Sequence, residues 1–288
     1  MTDKNPEYDF KWCPGCGDFG VRRALEQAVE QRIIEREEPV ENNVVVAGIG
    51  CSGNMVHLLE GPQPYGIHGL HGRSLPIALG VKMGRQDLNV IVVAGDGDFL
   101  SIGMEHIAPQ AQRNLNICAV VMDNAVYGLT KGQSSPTAQE GMITSSTPYG
   151  KPEVNVNALK YYLTVGVSFV ASGISNKIKD LANLIHQGME HPGFSVIHVQ
   201  SPCTVYNNTY EQLKGNPRKG IEPMAWAIQA NHDKNDIEAA VEVVNQGGVP
   251  LGVIYEDKNS IPLENRMAAM FSKAHPKTPQ ELMDAYLV

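Results

Sequence analysis

The sequence predicts an α/β protein built on a parallel sheet with helices covering both faces. Three observations support this fold class. Short continuous runs of β-branched residues recur along the chain, segments with helical spacing separate them, and 42% of the 288 residues are hydrophobic. Strands that are buried on both faces read as continuous apolar runs, and helices between such strands make parallel connections. A chain of this length can bury one large core.

The predicted strands occupy five apolar runs, at residues 44–47, 90–94, 117–122, 168–171 and 194–199. Helices are expected between them at 75–83, 104–113 and 178–189, and Ser74 is a possible cap of the first. Residues 125–157 contain many Gly, Pro, Ser and Thr residues. This composition is typical of a long functional loop.

The N-terminal region predicts a polar arm followed by a helix. Asp18 follows the arm and has the chemistry of a helix N-cap. Apolar residues then recur every four positions, at Val21, Leu25, Val29 and Ile33. After Cys203 the pattern weakens. We therefore divide the chain into an arm (1–17), an α/β domain (18–203) and an irregular C-terminal extension (204–288), which we expect to form a subunit interface.

The charge and the hydrophobicity of the sequence argue against a nucleic-acid-binding, a secreted or a membrane-spanning protein. A net charge of -8 argues against a nucleic-acid backbone as the main partner, although ordinary surface acidity explains it equally well. The N-terminus carries no apolar segment typical of a signal peptide, and no run is long enough to cross a bilayer. We therefore expect a cytoplasmic protein.

Polar residues follow two of the predicted strands at the point where each strand ends. Gly95-Asp96-Gly97-Asp98 comes directly after one strand, and Asp123-Asn124 follows the next, with 26 residues between Gly97 and Asn124. The carboxyl ends of parallel strands form one edge, where ligands bind. Glycines allow a diphosphate to approach the backbone, and Asp96 and Asn124 offer the oxygen ligands that Mg²⁺ prefers.

The five cysteines suggest a metal site. Cys13 and Cys16 form a Cys-x-x-Cys pair that fits a zinc knuckle, a redox dithiol or half of a cluster site. A thioredoxin-type dithiol requires a preceding strand, and here only a polar arm precedes the pair, which argues against the dithiol. Cys51 and Cys203 each follow a predicted strand. Cys118 lies inside a strand, where a buried hydrophobic role is expected. The remaining four thiols suit a [4Fe–4S] cluster, and zinc also accepts four cysteines.

Five motifs then make a family resemblance specific. In chain order they are Trp12-Cys13-Pro14-Gly15-Cys16-Gly17, Gly48-Ile49-Gly50-Cys51-Ser52-Gly53, His68-Gly69-Leu70-His71-Gly72-Arg73, Gly95-Asp96-Gly97-Asp98, and residues 127–133, Tyr-Gly-Leu-Thr-Lys-Gly-Gln. Over about residues 8–205 the chain resembles the β subunit of the 2-oxoacid:ferredoxin oxidoreductases, which has a thiamine-diphosphate-binding fold. The opening Tyr8-Asp9-Phe10-Lys11-Trp12 and the short C-terminus are most similar to the 2-oxoglutarate type.

The resemblance implies roles for individual residues. A [4Fe–4S] cluster would be bound by Cys13, Cys16, Cys51 and Cys203, the last on a looser match. Mg²⁺ would be held by Asp96, Asn124 and the carbonyl of Val126. Thiamine diphosphate would contact Ile49, Gly50, Cys51, Ser52, His71, Gly95, Gly97, Asp98, Gly128 and Leu129. One departure concerns substrate range, because Asn54 occupies a position where some relatives carry a basic residue.

The resemblance also implies a reaction and partners. The family decarboxylates a 2-oxoacid oxidatively to an acyl-coenzyme A and CO₂, with electrons passing through the cluster to ferredoxin, and the reverse carboxylation is chemically available. The Glu that activates thiamine diphosphate is expected in an α subunit, so this chain should be inactive alone and work in an (αβ)₂ assembly.

Several interpretations stay open. His68, His71 and Arg73 are candidates for polar contacts with substrate or cofactor, with His71 and Arg73 the candidate catalytic residues. A structural hydrogen bond would explain His71 about as well, and Arg73 could simply anchor the helix that follows it. Lys131 could contact substrate, a partner or only solvent. Two rival functions are a thiamine-dependent decarboxylase subunit with structural zinc, and a non-enzymatic iron–sulfur electron-transfer module.

Overall fold

The computed structural model describes residues 12–62, 64–274 and 277–287. The helices of this part of the chain are α1 Asp18–Arg36, α2 Met55–Leu58, α3 Ser74–Gly84, α4 Ile107–Arg113, α5 Ala158–Thr164, α6 Ile178–Glu190, α7 Tyr210–Lys214, α8 Ile237–Asn245, α9 Leu263–Phe271 and α10 Pro279–Asp284. The strands are β1 Asn43–Ala47, β2 Tyr65–His68, β3 Asn89–Gly95, β4 Ile117–Asp123, β5 Val126–Tyr127, β6 Gln133–Ser134, β7 Phe169–Ile174, β8 Phe194–Gln200, β9 Ala225–Ala227 and β10 Val249–Glu256. Most of the predicted arm, including Tyr8 to Lys11, lies outside the described residues.

Eight strands form one sheet in the order β2-β1-β3-β4-β8-β7-β10-β9. Neighbouring strands are parallel throughout this order, except that β10 runs antiparallel to β7. Residues of β1 alternate between two cores: Val44 and Val46 pack with α3, α4 and α5, and Val45 and Ala47 pack with α1 and α6. Helices therefore cover both faces of the sheet, and the predicted fold class is confirmed.

The C-terminal segment is more regular than its sequence suggests. Strand β10 pairs with β7 and extends the sheet, and α8 packs through Ala240, Val243 and Val244 onto a core shared with the central strands. Farther on, the buried Glu264 carboxylate lies 3.7 Å from the ammonium group of the buried Lys82. The pattern was weak because β10 is only partly buried, so its apolar run is interrupted. The proposed division into arm, domain and extension stays a prediction.

Two helix starts differ from the expected caps. Helix α1 begins at Asp18 itself with Gly17 in the capping position, and α3 begins at Ser74 with Arg73 in that position. Asp18 does not cap because its carboxylate points inward and accepts hydrogen bonds from Ser201 and Ser52. The segment expected at 104–113 starts with a 3₁₀ turn before α4, and the 125–157 loop is irregular apart from the β5–β6 hairpin.

No helix within the described residues has both the length and the hydrophobicity that crossing a bilayer requires.

Candidate functional site

A pocket lies at the carboxyl ends of β1, β3 and β4, where the sequence predicts the cofactor. It is lined by every residue predicted to contact thiamine diphosphate or Mg²⁺, namely Ile49, Gly50, Cys51, Ser52, His71, Gly95, Asp96, Gly97, Asp98, Asn124, Val126, Gly128 and Leu129. Tyr127 and Thr130 also line it. Four loops, which follow β1, β2, β3 and β4, thus meet at one edge of the sheet, because parallel strands end there together. The binding roles of these residues stay predictions.

Asp98 holds two of these loops together. Its Oδ1 accepts hydrogen bonds from the backbone N–H groups of Ile49 at 3.0 Å and Gly72 at 2.7 Å. Nδ1 of His71 lies 2.5 Å from the same oxygen, so the carboxylate also orients the imidazole ring. The other oxygen, Oδ2, is buried and has no hydrogen-bond partner within the described structure. Asp98 therefore shapes the pocket wall and places His71 at its rim.

The carboxylate of Asp96 is aimed by side chains of the long loop. Its Oδ2 accepts hydrogen bonds from Ser135 and, at 2.7 Å, from Thr137. Oδ1 has only a long contact of 3.4 Å with the Asn124 N–H, which leaves this oxygen available. Burial and the nearby Asp123 carboxylate raise the pKa of Asp96 to about 7. A divalent cation offsets both causes, so the site suits Mg²⁺.

Asp123 forms a second layer behind Asp96. Its Oδ1 accepts from Thr137 at 2.7 Å, and its Oδ2 lies 3.0 Å from Nε2 of His198. Burial acts to raise the pKa of Asp123, but the hydrogen bond and charge of His198 outweigh it, and the pKa is lowered. Thr137 thus bridges two buried carboxylates with a single hydroxyl, which can donate to only one of them at a time.

Replacing Thr137 by valine is expected to weaken Mg²⁺ binding about 10–100-fold, the usual effect of losing a hydrogen bond to a metal ligand. Valine keeps the size of threonine but leaves Asp96 without one of its two donors. Titrating Mg²⁺ against thiamine-diphosphate binding by calorimetry measures the change. Thr164→Val, which removes an exposed hydroxyl bonded to the Lys160 carbonyl at 2.7 Å, is the matched control. Equal Mg²⁺ affinity in both variants would mean that Thr137 does not hold Asp96.

Two further features fit a diphosphate with its cation. A Cβ at Gly97 would lie 2.3 Å from the ring of Tyr127, so only glycine allows the close packing at this turn. Oδ1 of Asn124 accepts from the Val126 N–H at 3.0 Å and keeps a second lone pair. Asp96, Asn124 and the Val126 carbonyl are hard oxygen donors, which is the chemistry that Mg²⁺ prefers.

The start of the chain packs against the other cysteine-bearing segments. The buried Trp12 donates its indole N–H to the Cys51 carbonyl at 2.8 Å. The Gly17 N–H donates to the Pro202 carbonyl at 3.1 Å, and a Cβ at Gly17 would collide with Ser201. These contacts place the Cys13–Cys16 turn beside Cys51 and Cys203.

The four thiols share one neighbourhood. A Cβ at Gly128 would lie 3.4 Å from Sγ of Cys51 and 3.9 Å from Sγ of Cys203, so both thiols lie beside Gly128 at the pocket. Burial, the Asp18 carboxylate and the thiols of Cys203 and Cys13 together raise the pKa of Cys51 to about 11. Burial and the same carboxylate also raise the pKa of Cys16. Cys51 therefore belongs both to the pocket and to the thiol group.

Cys118 is separate from this group, as expected. It is buried in β4, and burial raises the pKa of its thiol to about 12. In the parts of the chain that the structure describes, no three His, Cys, Asp or Glu side chains converge on a single metal ion. The thiols near Cys51 are thus neighbours without the tight convergence of a one-ion site.

Other sequence candidates lie outside the pocket lining. Arg73 donates to the Ile102 carbonyl at 2.9 Å and pairs with Glu105, so its guanidinium anchors the start of α3. His68 contacts His57 at 2.8 Å, and Lys131 is exposed. The structure therefore brings His71 into the pocket and leaves Arg73, His68 and Lys131 outside its lining. Catalytic roles for His71 and Arg73 stay predictions.

The sequence alone missed several residues of the site. Ser135, Thr137 and His198 support the predicted metal ligands, and Trp12 ties the arm to Cys51. Ser135 and Thr137 lie in a loop with no periodic pattern, and His198 sits in a buried strand. Only the unusual length and polarity of the loop could have drawn attention to them.

Two family models match the chain. Residues 48–199 match a thiamine pyrophosphate enzyme, C-terminal TPP binding domain. Residues 222–271 match the C-terminal part of the pyruvate ferredoxin oxidoreductase beta subunit. The first match covers the β3 and β4 strand ends that carry Asp96 and Asn124, and the second covers β9, α8 and β10. The pocket therefore resembles a thiamine pyrophosphate binding domain, and the C-terminal segment resembles part of a pyruvate ferredoxin oxidoreductase.

Individual relatives point to the same family. A 2-oxoacid:ferredoxin oxidoreductase subunit beta from a Sulfolobus species is 38% identical over 278 residues, covering 93% of this chain and 88% of the relative. The 2-oxoglutarate synthase subunit KorB of Archaeoglobus fulgidus is 37% identical over 203 residues, covering 70% and 72%. These relatives are subunits of enzymes.

A solved structure agrees over nearly the whole chain. It is a 2-oxoglutarate:ferredoxin oxidoreductase from Magnetococcus marinus with 2-oxoglutarate, coenzyme A and succinyl-CoA bound. It matches with a TM-score of 0.85 at 35% identity and covers 98% of this chain and 94% of that chain. The fold and the relatives agree with the motifs identified in the sequence. The chain therefore belongs to the family of 2-oxoacid:ferredoxin oxidoreductase β subunits, which are parts of an enzyme complex.

Proposed function

We propose that this chain binds Mg²⁺-thiamine diphosphate beside one [4Fe–4S] cluster and, with an α subunit, converts 2-oxoglutarate and coenzyme A to succinyl-coenzyme A and CO₂ while reducing ferredoxin. The observation that carries the proposal is the position of Cys51, which lines the pocket and lies, like Cys203, beside Gly128. A cofactor in the pocket would lie next to a group on the thiols. Such proximity suits electron transfer between them.

The chain's own residues would hold the cofactor and its metal. Asp96, Asn124 and the Val126 carbonyl would bind Mg²⁺, and Gly97 would let the diphosphate approach the backbone. When bound, thiamine diphosphate supplies the electron sink that decarboxylation of a 2-oxoacid requires. His71, oriented by Asp98, would offer its other ring nitrogen toward the pocket as a hydrogen-bond donor or acceptor.

The four thiols could hold either a cluster or zinc. A zinc ion binds four thiolates at about 2.3 Å around one point, whereas a [4Fe–4S] cluster is held by one thiolate on each of its four irons. Iron, sulfide and zinc assays on anaerobically purified enzyme separate the two alternatives.

An α subunit would complete the pocket. Four large apolar side chains in this region are exposed. Ile49 and Leu129 line the pocket, and Leu70 and Ile102 lie at the adjoining His71 loop. Ile102 lies against Gly72, next to His71. Several exposed apolar side chains near one pocket are typical of a protein interface. A partner on this rim would exclude water and bring the activating Glu; the (αβ)₂ assembly and the cytoplasmic location stay predictions.

Purified β chain alone is expected to show no oxidation of a 2-oxoacid with a dye acceptor, whereas the αβ enzyme should be active. The reason is that no described residue of the pocket supplies a Glu side chain. Thiamine-diphosphate binding and thermal unfolding of the β chain serve as the control for folding. Turnover by the β chain alone would contradict the two-subunit proposal.

The substrate is tested with the reconstituted αβ enzyme, ferredoxin and coenzyme A under anaerobic conditions. We expect the highest kcat/KM with 2-oxoglutarate among 2-oxoglutarate, pyruvate and branched 2-oxoacids, because similar relatives and the matched structure act on or bind 2-oxoglutarate. A clear preference for pyruvate would overturn the assignment. Carboxylation of succinyl-coenzyme A with reduced ferredoxin, followed with labelled CO₂, tests the reverse direction.

A further inference from the structure

Asp18 is a buried carboxylate that is hydrogen-bonded to residues next to Cys51 and Cys203. Its exposed fraction is 0%, and it forms the first residue of α1, two positions after Cys16. Oδ1 accepts a hydrogen bond from the hydroxyl of Ser201 at 2.6 Å, and Oδ2 accepts one from Ser52 at 3.3 Å. No ion pair between Asp18 and a Lys or Arg occurs among residues 12–62, 64–274 and 277–287. The negative charge of Asp18 is thus stabilised mainly by hydrogen bonds from two hydroxyl groups.

The two serines connect Asp18 to the other cysteine-bearing segments. Ser52 directly follows Cys51, and Ser201 precedes Cys203 by two residues. One carboxylate therefore joins the N-terminal arm, the loop after β1 and the segment after β8. The Gly17 N–H, next to Asp18, donates to the Pro202 carbonyl and strengthens the same junction. Neither the cofactor pocket nor the metal site described above uses this carboxylate.

Burying an unpaired carboxylate is costly, and its electrostatic effect on close neighbours is correspondingly large. Asp18 lies two residues after Cys16, and its Oδ2 accepts a hydrogen bond from Ser52, the residue that follows Cys51. The negative charge of this buried carboxylate therefore acts on the surroundings of both thiols with little screening by solvent.

We propose that Asp18 is a positioning residue that clasps the three cysteine-bearing segments, and that its negative charge lowers the reduction potential of the iron–sulfur cluster. The inference rests on the proposed function, because it requires the cluster. Reduction adds one electron to the cluster and takes up no other group. A fixed negative charge beside the cluster opposes that addition, and hydrogen bonding and local charge are known determinants of cluster potentials. The reduced cluster becomes a stronger donor to ferredoxin.

The test is Asp18→Asn in the αβ holoenzyme, purified anaerobically. Asparagine keeps the size and an oxygen that accepts from Ser201, but it removes the charge. The cluster should remain, and its midpoint potential should become more positive by about 59 mV, which corresponds to a tenfold change in a one-electron reduction equilibrium. A potentiometric titration followed by EPR measures this potential. Glu30→Gln, which removes an exposed charge from the same helix, should leave the potential unchanged.

A second variant separates position from charge. Ser201→Ala retains the carboxylate but removes its shorter hydrogen bond, so iron release to a chelator should be faster than in wild type while the potential stays close to the wild-type value. Unchanged iron release in Ser201→Ala would overturn the clasp. Equal midpoint potentials in Asp18→Asn and wild type, or an equal shift in Ser201→Ala, would overturn the charge effect. Wild-type enzyme without iron and sulfide would instead refute the proposed cluster itself.

Discussion

Replacing Cys51 by alanine is expected to remove the visible absorption and most of the iron of the αβ enzyme and to reduce ferredoxin reduction to background. A Cys₄ cluster needs all four thiolates, and Cys51 would be the ligand nearest the cofactor. Its Sγ and that of Cys203 both lie beside Gly128, and its carbonyl accepts a hydrogen bond from Trp12. Thiamine diphosphate should still bind, because the proposed Mg²⁺ ligands lie on the loops after β3 and β4.

Cys118→Ala is the matched control for Cys51→Ala. Cys118 is as buried as a core residue, its Sγ lies 3.9 Å from the Ile185 carbonyl, and it is remote from the other thiols. Removing its sulfur should cost about 1 kcal/mol of stability, typical of a small core deletion. Iron content and ferredoxin reduction should be unchanged. A Cys51→Ala enzyme with wild-type absorption and iron would refute the assignment of Cys51 as a ligand.

The sequence was most informative where packing is uniform. Strands β1, β3, β4 and β8 are buried on both faces, so their continuous apolar runs predicted both the strands and the parallel sheet. Because parallel strands end at one edge, the residues after Ala47, Ala94 and Met122 could be placed together from the order of the strands alone. That topological rule placed the strand ends together, whereas the individual lining residues were predicted from the family resemblance.

The features that the sequence did not predict depend on tertiary contacts that local sequence patterns do not encode. Asp18 has the composition of an N-cap, but its carboxylate turns into the core, since Ser52 and Ser201 offer hydroxyls there. The hydroxyl of Thr137 can reach the carboxylates of Asp96 and Asp123 only when the long loop is folded against the strand ends. Strand β10 is partly exposed and antiparallel, so neither its burial pattern nor its connection matched the expected repeat.

Replacing Asp96 by asparagine is expected to have the largest effect on cofactor binding. The substitution keeps the size and one oxygen but removes the only carboxylate among the three proposed Mg²⁺ ligands. Losing a supporting residue typically costs 10–100-fold in metal affinity, so losing this ligand should cost at least about 100-fold. Mg²⁺-dependent binding of thiamine diphosphate, measured by calorimetry, and turnover of the αβ enzyme should both fall to that extent.

The same variant should affect stability in the opposite direction when the cofactor is absent. Asp96 is 1% exposed and lies near the Asp123 carboxylate, so without a cation its charge opposes folding. Cofactor-free Asp96→Asn should therefore unfold at a higher temperature than cofactor-free wild type. At a concentration of Mg²⁺ and thiamine diphosphate that saturates only wild type, the unfolding temperature should rise for wild type and rise far less for the variant.

Asp87→Asn provides the control, because Asp87 precedes the opposite end of β3 and pairs with Arg85 on the surface. It should keep both wild-type Mg²⁺ affinity and the stabilisation by cofactor. If Asp96→Asn also kept them, Asp96 would not be a metal ligand. If the variant lost cofactor binding but was less stable than wild type without cofactor, Asp96 would act by supporting the fold. Weaker cofactor binding together with higher stability of the cofactor-free protein is expected only if the buried charge of Asp96 serves to bind the cation.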